Sequence, residues 1–319
     1  MKKAAVIIPN YNGAGYLEPC LDSLMRQSEK SFSVIVVDNG STDGSRELIR
    51  EKYPWAELLC LEENTGFCGA VNRGIQAAEE PYVILLNNDT EAEPDFIREL
   101  LEGIGRHRRA FACGAKMLQA HSPELLDDAG DFYSALGWAA ARGKGKPEAE
   151  YSREEKIFSA CAGAAIYRRK VLLGLGLFDE EHFAYLEDLD ICYRARLHGY
   201  ENWYLPKARV RHVGSGTSGS RYNLFKVRYS SRNNIYLIWK NMPLFQILLN
   251  LPFLLAGFGA KFFFFAGKGF GKEYLAGIRN GFQLCRKSEK KTKFTWKRLP
   301  VYSRIQLELW KNLCCTLRR

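Results

Sequence analysis

The first 90 residues alternate short apolar runs with amphipathic segments, and this alternation constrains the fold more than any other feature of the chain. Four runs, AAVIIP, FSVIVVD, AELLCLEE and YVILLNND, have the length and composition of strands. Between the first two runs, Leu17, Leu21 and Leu24 recur at helical spacing. Strands that alternate with helices predict an α/β fold with a mostly parallel sheet and right-handed crossovers.

Three of these strands run directly into polar side chains. The polar segments are Pro9-Asn10-Tyr11-Asn12, Asp38-Asn39-Gly40-Ser41 and Asn87-Asn88-Asp89. In open sheets of this kind, ligands bind beyond the carboxyl ends of the strands. The sequence therefore predicts a ligand site at this rim of the sheet, with Asp89 directed at the ligand.

The α/β pattern continues to about residue 220, with a less regular segment from 110 to 150 in which ARGKGKPEAEY is typical of an exposed, mobile loop. We therefore predict a first domain of residues 1–220 and a helical extension of residues 221–319. The extension holds 20 Lys and Arg against 3 Asp and Glu, a net charge of +17, whereas residues 1–220 carry −7. A basic extension on an acidic body predicts an anionic partner, either a membrane or a nucleic acid.

The extension contains an apolar stretch of 24 residues, LFQILLNLPFLLAGFGAKFFFFAG, which is long enough to cross a membrane. Gln246, Asn250, Pro252 and Lys261 interrupt it. The sequence therefore favours a helix that lies on the membrane surface between basic flanks. A membrane span, a buried helix pair and a basic face that packs on another subunit are the alternatives.

The cysteines and the N-terminus indicate the cytoplasm. None of the nine cysteines forms a CxxC pair, and most lie in apolar surroundings, which is typical of reduced core residues. The first apolar run is too short for a signal peptide and is broken at Pro9. We therefore expect a protein that is not exported.

Carboxylates near the predicted rim suggest a bound cation. Asp38 and Asp89 end predicted strands, and YLEDLD supplies Glu187, Asp188 and Asp190. A lone Asp at a strand end is commonly a cap or turn residue. Several carboxylates around one site repel one another unless a cation or a proton lies among them. We therefore predict a divalent metal site with Asp89 as its anchor.

Other motifs narrow the function. The sequence has no GxxxxGK[ST], no GxGxxG after the first strand and no GxSxG, which argues against ATPases, dinucleotide enzymes and acyl-transfer hydrolases. His212 follows the last predicted strand and is either a metal ligand or a histidine bonded to the backbone. A nucleotidyl or sugar-phosphate transferase, a nucleic-acid binder using RKSEKKTKFTWKR, and a non-catalytic scaffold are alternatives. The acidic rim disfavours nucleic acid because it would repel phosphates.

Six blocks occur in the order seen in family 2 glycosyltransferases of the GT-A fold. They are VIIPNYNG, VVDNGSTDGS, NTGFCGAVNRGI, LLNNDTEAEPDFI, GAAIYRRKVLLGLGLFDEEHFAYLEDLDICYRARLHGY and RHVGSGTS. The match spans residues 4 to about 240, and the chain most resembles the bacterial rhamnosyltransferase-like group. The resemblance implies a GT-A nucleotide-diphospho-sugar transferase fold, with a Rossmann-like sheet flanked by helices, and inverting transfer from a nucleotide sugar.

The resemblance also implies roles for individual residues around the nucleotide sugar. Asp38 is similar to the aspartate that bonds the pyrimidine ring, and Asn88 would lie on the ribose side. The other residues implied in this pocket are Pro9, Asn10, Asn12, Gly66, Phe67 and Asn72.

The metal and the base are implied in the same way. NND stands where the family has its DxD motif, so Asp89 resembles the ligand of Mg²⁺ or Mn²⁺ and His212 a histidine that completes the metal site. The first motif position is the amide Asn87 instead of a carboxylate, which predicts weaker metal binding. Asp188 resembles the general base, supported by Glu187.

The implied donor is a dTDP- or UDP-sugar, with rhamnose as the family-level expectation and other hexoses open. The implied acceptor is a lipid-linked or polysaccharide intermediate of the cell envelope. We expect the enzyme to be peripheral on the inner face of the plasma membrane, without a nucleic-acid partner, and a homo-oligomer is compatible with the sequence. Tyr133 and Trp138 either line the acceptor cleft or pack in the core.

Overall fold

The computed structural model describes residues 2–214 and 222–317. In chain order the strands are β1 (Ala4–Asn10), β2 (Phe32–Asp38), β3 (Glu57–Cys60), β4 (Tyr82–Leu86), β5 (Thr90–Ala92), β6 (Ala110–Gln119), β7 (Ser122–Asp128), β8 (Asp131–Tyr133), β9 (Ala139–Ala141), β10 (Glu155–Ile157), β11 (Ala164–Arg168) and β12 (Glu201–His212).

The α-helices are α1 (Ala14–Met25), α2 (Ser45–Lys52), α3 (Gly66–Ala77), α4 (Phe96–Arg106), α5 (Arg169–Gly174), α6 (Glu187–Leu197), α7 (Leu224–Asn241), α8 (Leu244–Gly267), α9 (Gly271–Lys287) and α10 (Leu299–Leu317). The predicted domain boundary at residue 220 lies outside the described residues.

Within the described residues, ten strands form one sheet in the order β10-β12-β6-β11-β4-β1-β2-β3, with β5 beside β12 and β7 beside β6. β1 is parallel to both β2 and β4, and β2 is parallel to β3. This parallel half confirms the alternating pattern of residues 4–86. In the other half, β11 is antiparallel to β4 and β6, and β12 is parallel to β6. The sheet is therefore mixed, with helices on both faces.

Residues 110–150 are more regular than the sequence suggests. β6 is buried along almost its whole length inside the sheet, and β7 and the β8–β9 hairpin follow it. Lys116 donates to the backbone carbonyl of Glu148 at 3.0 Å, and the Arg142 guanidinium lies 4.8 Å from the Tyr151 ring centroid. The expected loop is thus tied to the sheet. β6 gives a weak strand signal because AFACGAKMLQ contains no β-branched residue.

Three apolar clusters hold the layers together. One face of the sheet packs on α1, α2 and α4, and the other on α3, α5 and α6. A third cluster joins α6 to the C-terminal helices and includes Tyr193, Leu237, Leu254, Tyr302 and Leu309. The helical extension therefore shares a core with the α/β body.

Buried ion pairs reinforce this junction. Lys240 Nζ of α7 lies 2.6 Å from Asp179 Oδ2 and 2.8 Å from Asp190 Oδ2, and all three residues are buried. Lys290 Nζ lies 2.8 Å from the other oxygen of Asp179, and Arg194 Nε lies 2.9 Å from Asp190. Each carboxylate thus faces two cations, which compensates for the cost of burying charge. Asp190 thus helps to orient α6 against α7.

Polar residues of α8 explain the interruptions of its apolar sequence. Gln246 Nε2 and Asn250 Nδ2 both donate to Gln306 Oε1 of α10, at 3.0 and 2.8 Å. Further along the same helix, Gly257 approaches the carbonyl of Leu136 so closely that a side chain would not fit. These contacts hold α8 lengthwise against the body. By length and composition alone α8 could cross a membrane, and only 17% of its most apolar stretch is buried.

Lys240→Met tests the buried ion pairs. Removing the ammonium leaves Asp179 and Asp190 with one cation each in a buried setting, so we expect the free energy of unfolding to fall by about 3 kcal/mol. Urea unfolding followed by circular dichroism measures this loss. The matched control is Lys52→Met, because Lys52 makes an exposed pair with Glu18 at the same 2.6 Å, and it is expected to cost less than about 1 kcal/mol. Equal losses in the two variants would contradict the assignment.

Candidate active site

A cavity of about 850 Å³ opens at the carboxyl ends of β1, β4 and β12 and at the start of α6. The predicted site residues that line it are Pro9, Asn10, Gly66, Phe67, Asn88, Asp89, Glu187, Asp188 and His212. The structure therefore gathers most of the predicted set at the predicted rim. Asn12, Asp38 and Asn72 are not among the lining residues.

Asp38 lies behind the cavity wall. Asn88 Nδ2 donates to Asn10 Oδ1 at 2.7 Å, and Asn10 Nδ2 donates to Asp38 Oδ2 at 3.3 Å, so the ends of β4, β1 and β2 are joined by one row of side chains. Arg46 Nε donates to Asp38 Oδ1 at 2.5 Å. Burial disfavours the Asp38 carboxylate, but hydrogen bonds from Ser41, Arg46 and Asn10 outweigh burial and lower its pKa. Asp38 is therefore ionised and already paired.

Asn12 and Asn72 hold neighbouring loops. Asn12 has a left-handed φ of 49°, and its Oδ1 accepts the backbone N–H of Thr42 at 2.9 Å. Asn72 Nδ2 donates to the carbonyl of Phe178 at 2.8 Å and its Oδ1 accepts the N–H of the same residue at 3.1 Å. Both amides shape the walls around the cavity.

Gly66 begins α3 with a φ of +75°, and a Cβ there would lie 2.6 Å from the ring of Phe183. Only glycine meets both conditions without strain. The backbone N–H of Cys68, one turn into the same helix, donates to the carbonyl of Phe183 at 3.2 Å. The start of α3 is thereby docked against the loop that precedes α6.

Asp89, His212 and Asp127 form a hydrogen-bonded row on the cavity wall. His212 Nδ1 lies 2.8 Å from Asp127 Oδ2, and His212 Nε2 lies 3.3 Å from Asp89 Oδ1. Burial disfavours the charged imidazole, but the hydrogen bonds to Asp127 and Asp89 outweigh burial and raise the pKa of His212 to about 9. The imidazolium therefore bridges two carboxylates at neutral pH.

This row offers ligand atoms suited to a divalent cation. A metal-binding histidine usually bonds a carboxylate through its second ring nitrogen, as His212 bonds Asp127. Carboxylate oxygen is a preferred ligand of Mg²⁺ and Mn²⁺. The proton between His212 and Asp89 lies where a cation would bind both side chains, so Asp89 and His212 fit the predicted metal.

Asp179, His182 and Asp190 form another acidic group, with ligand atoms within 4.8 Å of one another. All three are buried, so this group could hold a metal by distance alone. Lys240 Nζ lies within 2.8 Å of both carboxylates, however, and supplies the positive charge there. Because a metal would have to displace that ammonium, we regard the group as an ion-pair cluster.

The backbone before Glu187 is strained. Phe183, Tyr185 and Leu186 have φ angles of 61°, 72° and 66°. Residues other than glycine in this region cost on the order of 1 kcal/mol or more each. Such strain persists only where surrounding contacts hold the backbone. This loop conformation places Glu187 and Asp188 in the first turn of α6.

α7 supplies those contacts. Asn233 Nδ2 donates to the carbonyls of His182, Ala184 and Tyr185 at 2.9, 2.8 and 2.8 Å. Arg232 donates to the His182 carbonyl at 2.9 Å. A helix of the extension thus fixes the loop that carries the predicted base.

Glu187 and Asp188 both line the cavity and interact electrostatically. Burial, and then the neighbouring Asp188, raise the pKa of Glu187 to about 8. Burial also raises the pKa of Asp188, whose Oδ1 accepts the N–H of Leu189 at 2.7 Å. A carboxylate with a raised pKa is a stronger proton acceptor. The pair therefore has the chemistry of a general base.

Sequence reasoning did not single out four residues that the structure brings to the site: Asp127, Asp131, Lys226 and Asn233. The carboxylates in ELLDDAGD could have pointed to Asp127 and Asp131, and the two adjacent amides in the apolar helix SRNNIYLIW to Asn233, whereas Lys226 has no such signal. Tyr133 is buried and Trp138 is half-buried, and neither lines the cavity. The Tyr133 hydroxyl donates to Asn234 Oδ1 and Trp138 Nε1 donates to the carbonyl of Gly257, both at 2.9 Å.

One family model matches more than half of the chain. The family model for glycosyl transferase family 2 matches residues 5–175. The N-acetylglucosaminyl-diphospho-decaprenol L-rhamnosyltransferase of Mycobacterium tuberculosis is 30% identical over 239 residues, which is 67% of this chain and 77% of the relative. Family membership thus rests on more than the motifs around the cavity.

Solved structures share the fold. GalNAc-T7 with UDP, GalNAc and Mn²⁺ aligns with a TM-score of 0.60 and 16% identity, covering 76% of this chain and 48% of that chain. The mannosyltransferase PcManGT of Pyrobaculum calidifontis, in complex with GDP-Man and Mn²⁺, aligns with a TM-score of 0.56 and 15% identity, covering 98% and 80%. At these identities the likeness supports the GT-A architecture.

Glu187→Gln is expected to stabilise the protein in a pH-dependent way. Between pH 4.5, the ordinary pKa of the group, and about 8, the folded state keeps a proton that the unfolded state has released, so folding stability falls as the pH rises through this window. Glutamine removes that penalty. We expect a gain on the order of 2 kcal/mol at pH 8, about 5 °C in Tm, and little gain at pH 4. Thermal melts at both pH values measure it, and a gain independent of pH would contradict the raised pKa.

Proposed function

The chain belongs to glycosyl transferase family 2, and from that premise we propose that it is an inverting enzyme that transfers a hexose from a nucleoside-diphosphate sugar to an acceptor of cell-envelope glycan synthesis. The observation that carries the proposal is that one cavity contains both the Asp89–His212 pair and the carboxylate of Asp188, on separate elements of the fold. Glycosyl transfer needs a group that stabilises the leaving diphosphate and a base for the attacking hydroxyl, and these two groups supply them.

Asp188 acts as the base in this scheme. The oxygen of the acceptor hydroxyl forms a new bond to the anomeric carbon as the bond from that carbon to the diphosphate oxygen breaks. The electron pair leaves with the diphosphate, and the hydroxyl proton goes to Asp188. Glu187 keeps its proton at neutral pH and so limits the negative charge beside the base.

Asp89 and His212 would hold the divalent metal, either Mg²⁺ or Mn²⁺. A cation there neutralises charge that develops on the leaving diphosphate. Lys226, which lines the cavity and lies within electrostatic range of Asp89, adds a positive charge on the same side.

The nucleotide would occupy the rim between β1 and α3. Pro9, Asn10, Gly66, Phe67 and Asn88 supply its walls. Asp38 reaches a pyrimidine only if Arg46 moves, and until then it fixes the Asn10 amide. We assign Asn12 and Asn72 to supporting the pocket instead of touching the nucleotide.

The relatives support a choice of sugar and acceptor to test first. The mycobacterial relative is named as a rhamnosyltransferase acting on a diphospho-decaprenol carrier, so we assign rhamnose from a dTDP- or UDP-sugar as the first donor to test and a lipid-linked intermediate as the acceptor class.

The decisive experiment measures nucleotide release from a panel of dTDP-, UDP- and GDP-sugars with Mg²⁺, Mn²⁺ or EDTA. We expect metal-dependent hydrolysis of one donor by the wild type. Asp89→Asn should lower it at least 100-fold by weakening stabilisation of the leaving group, and Asp188→Asn should lower transfer at least 100-fold while donor binding is kept. Lys52→Met is the folded control with unchanged turnover. A folded protein that neither binds nor hydrolyses any donor would rule out the enzyme.

We also propose that the extension holds the enzyme on an anionic membrane. Exposed apolar side chains lie along α8, among them Leu248, Leu255 and Phe263, and the extension carries a net charge of +17. The buried Gln246 and Asn250 keep one side of α8 on α10 and on Tyr193 of the α/β body, which supports a helix in the membrane surface over one that crosses it. This geometry would bring the cavity to lipid-linked sugars on the cytoplasmic face of the plasma membrane.

Vesicle flotation tests the membrane proposal. The triple variant Leu248→Gln, Leu255→Gln and Phe263→Gln should lose at least tenfold in binding to vesicles of phosphatidylglycerol and phosphatidylcholine, because apolar insertion is lost. Trp55→Gln removes an exposed apolar side chain of the body and should bind like the wild type. Donor hydrolysis should be unchanged in both. Undiminished flotation of the triple variant would exclude α8 as the contact.

A further inference from the structure

The β8–β9 hairpin closes one end of the cavity and carries a carboxylate that the proposed reaction does not use. Asp131 and the three residues Ala139–Ala141 line the cavity beside Glu187 and Asp188. Asp131 is the first residue of β8, and its backbone N–H donates to the carbonyl of Ser159 at 2.9 Å, which fixes it on a strand. Ala141 pairs with Asp131 across the hairpin, so the neighbouring lining residues on β9 are small.

Two oxygen atoms at this end are enclosed without partners. Among the described residues, Glu187 Oε2 and Asp131 Oδ2 have no hydrogen-bond partner. Glu187 is only 8% exposed, so water cannot compensate for it freely. Enclosed polar atoms of this kind cost stability unless a ligand satisfies them. Because both residues line the cavity together with Asp188, a ligand bound beside Asp188 is in a position to supply the missing partners.

Charge divides the cavity into two unlike ends. Of the described residues that line it, His212 and Lys226 are the cationic ones, and both interact electrostatically with Asp89. The charges that act on Asp131 are all carboxylates, namely those of Asp128, Asp188 and Glu187. A phosphate or a carboxylate would therefore find cationic partners at the Asp89 end, whereas the described lining residues offer none at the Asp131 end.

We propose that Asp131 and Glu187 bind the hydroxyl groups of a neutral acceptor sugar, beside the hydroxyl that Asp188 deprotonates, and that they exclude acceptor sugars carrying a carboxylate. This inference rests on the proposed glycosyl transfer and names the acceptor class of the same site. A sugar ring carries hydroxyl groups on neighbouring carbons, so one hydroxyl faces the base while its neighbour donates to the oxygen of a second carboxyl group. A uronic acid would place its carboxylate among acidic groups only.

Asp128 provides a matched control for Asp131. It lies three residues earlier, and its Oδ1 accepts the backbone N–H of Gly130 at 2.6 Å. Asp128 does not line the cavity. The two aspartates thus share charge and neighbourhood, but only Asp131 can touch the acceptor.

The experiment measures sugar transfer from the donor that the wild type hydrolyses to p-nitrophenyl glycosides, comparing neutral hexosides and N-acetylhexosaminides with glucuronides. We expect transfer to at least one neutral glycoside and none to the glucuronides. Asp131→Asn should raise the acceptor KM at least tenfold while donor KM and donor hydrolysis by water change less than twofold. Asp128→Asn should leave the acceptor KM within twofold of the wild type.

Several results would overturn the inference. They are transfer to a glucuronide as fast as to neutral glycosides, an acceptor KM in Asp131→Asn that matches Asp128→Asn, or no neutral glycoside accepted by a protein that hydrolyses its donor. If Asp131→Asn does not fold, Asp131→Glu keeps the charge and moves the oxygens, and the same split between acceptor KM and donor hydrolysis is expected. Failure of the wild type to hydrolyse any donor would instead be a failure of the proposed function.

Discussion

The contact between α7 and the loop before α6 is the interaction on which the site depends. That loop places Phe183, Tyr185 and Leu186 in the left-handed region, a conformation that does not hold itself. The Asn233 amide fixes three of the loop's carbonyls, and Lys240 fixes the carboxylates of Asp179 and Asp190 on either side of it. The helical extension therefore fixes the loop that presents Asp188, a role that is independent of the proposed membrane contact.

The two ends of the cavity differ in their ionisable groups, and this difference is the second feature on which the site depends. Glycosyl transfer brings together a doubly charged leaving group and a hydroxyl that must lose a proton, and these have opposite requirements. In the proposed reaction, the end of the cavity that holds the cations His212 and Lys226 beside Asp89 suits the diphosphate. The end at Asp188, Glu187 and Asp131 holds only carboxyl groups, whose burial and mutual repulsion raise their affinity for protons, and it suits neutral hydroxyl groups. Each end would be poor at the task of the other, which orients the two substrates.

The local sequence pattern was enough to predict the parallel half of the sheet and the residues at its rim. It did not predict the strands that form only because they pair with distant strands. β1, β2 and β4 are short, apolar and followed at once by polar residues, so Asn10, Asn88 and Asp89 could be predicted at the cavity. β6 lacks β-branched residues and is a strand because it lies between β11 and β12. Asp127 and Asp131 depend on that pairing and were missed. Asp38 ends a predicted strand but turns to Arg46, a contact that spacing does not reveal.

The polar residues of α8 have a structural reason that also bears on membrane topology. A helix that crosses a bilayer needs an apolar surface all round or partners within the membrane. α8 instead has a polar stripe, Gln246 and Asn250, whose hydrogen bonds end on Gln306 of α10 and on Tyr193 of the α/β body. Moving α8 into the bilayer would break those bonds and expose buried amides to hydrocarbon. The same residues that weaken the apolar pattern therefore commit one face of α8 to the protein, so that only its other face is available to the proposed membrane contact.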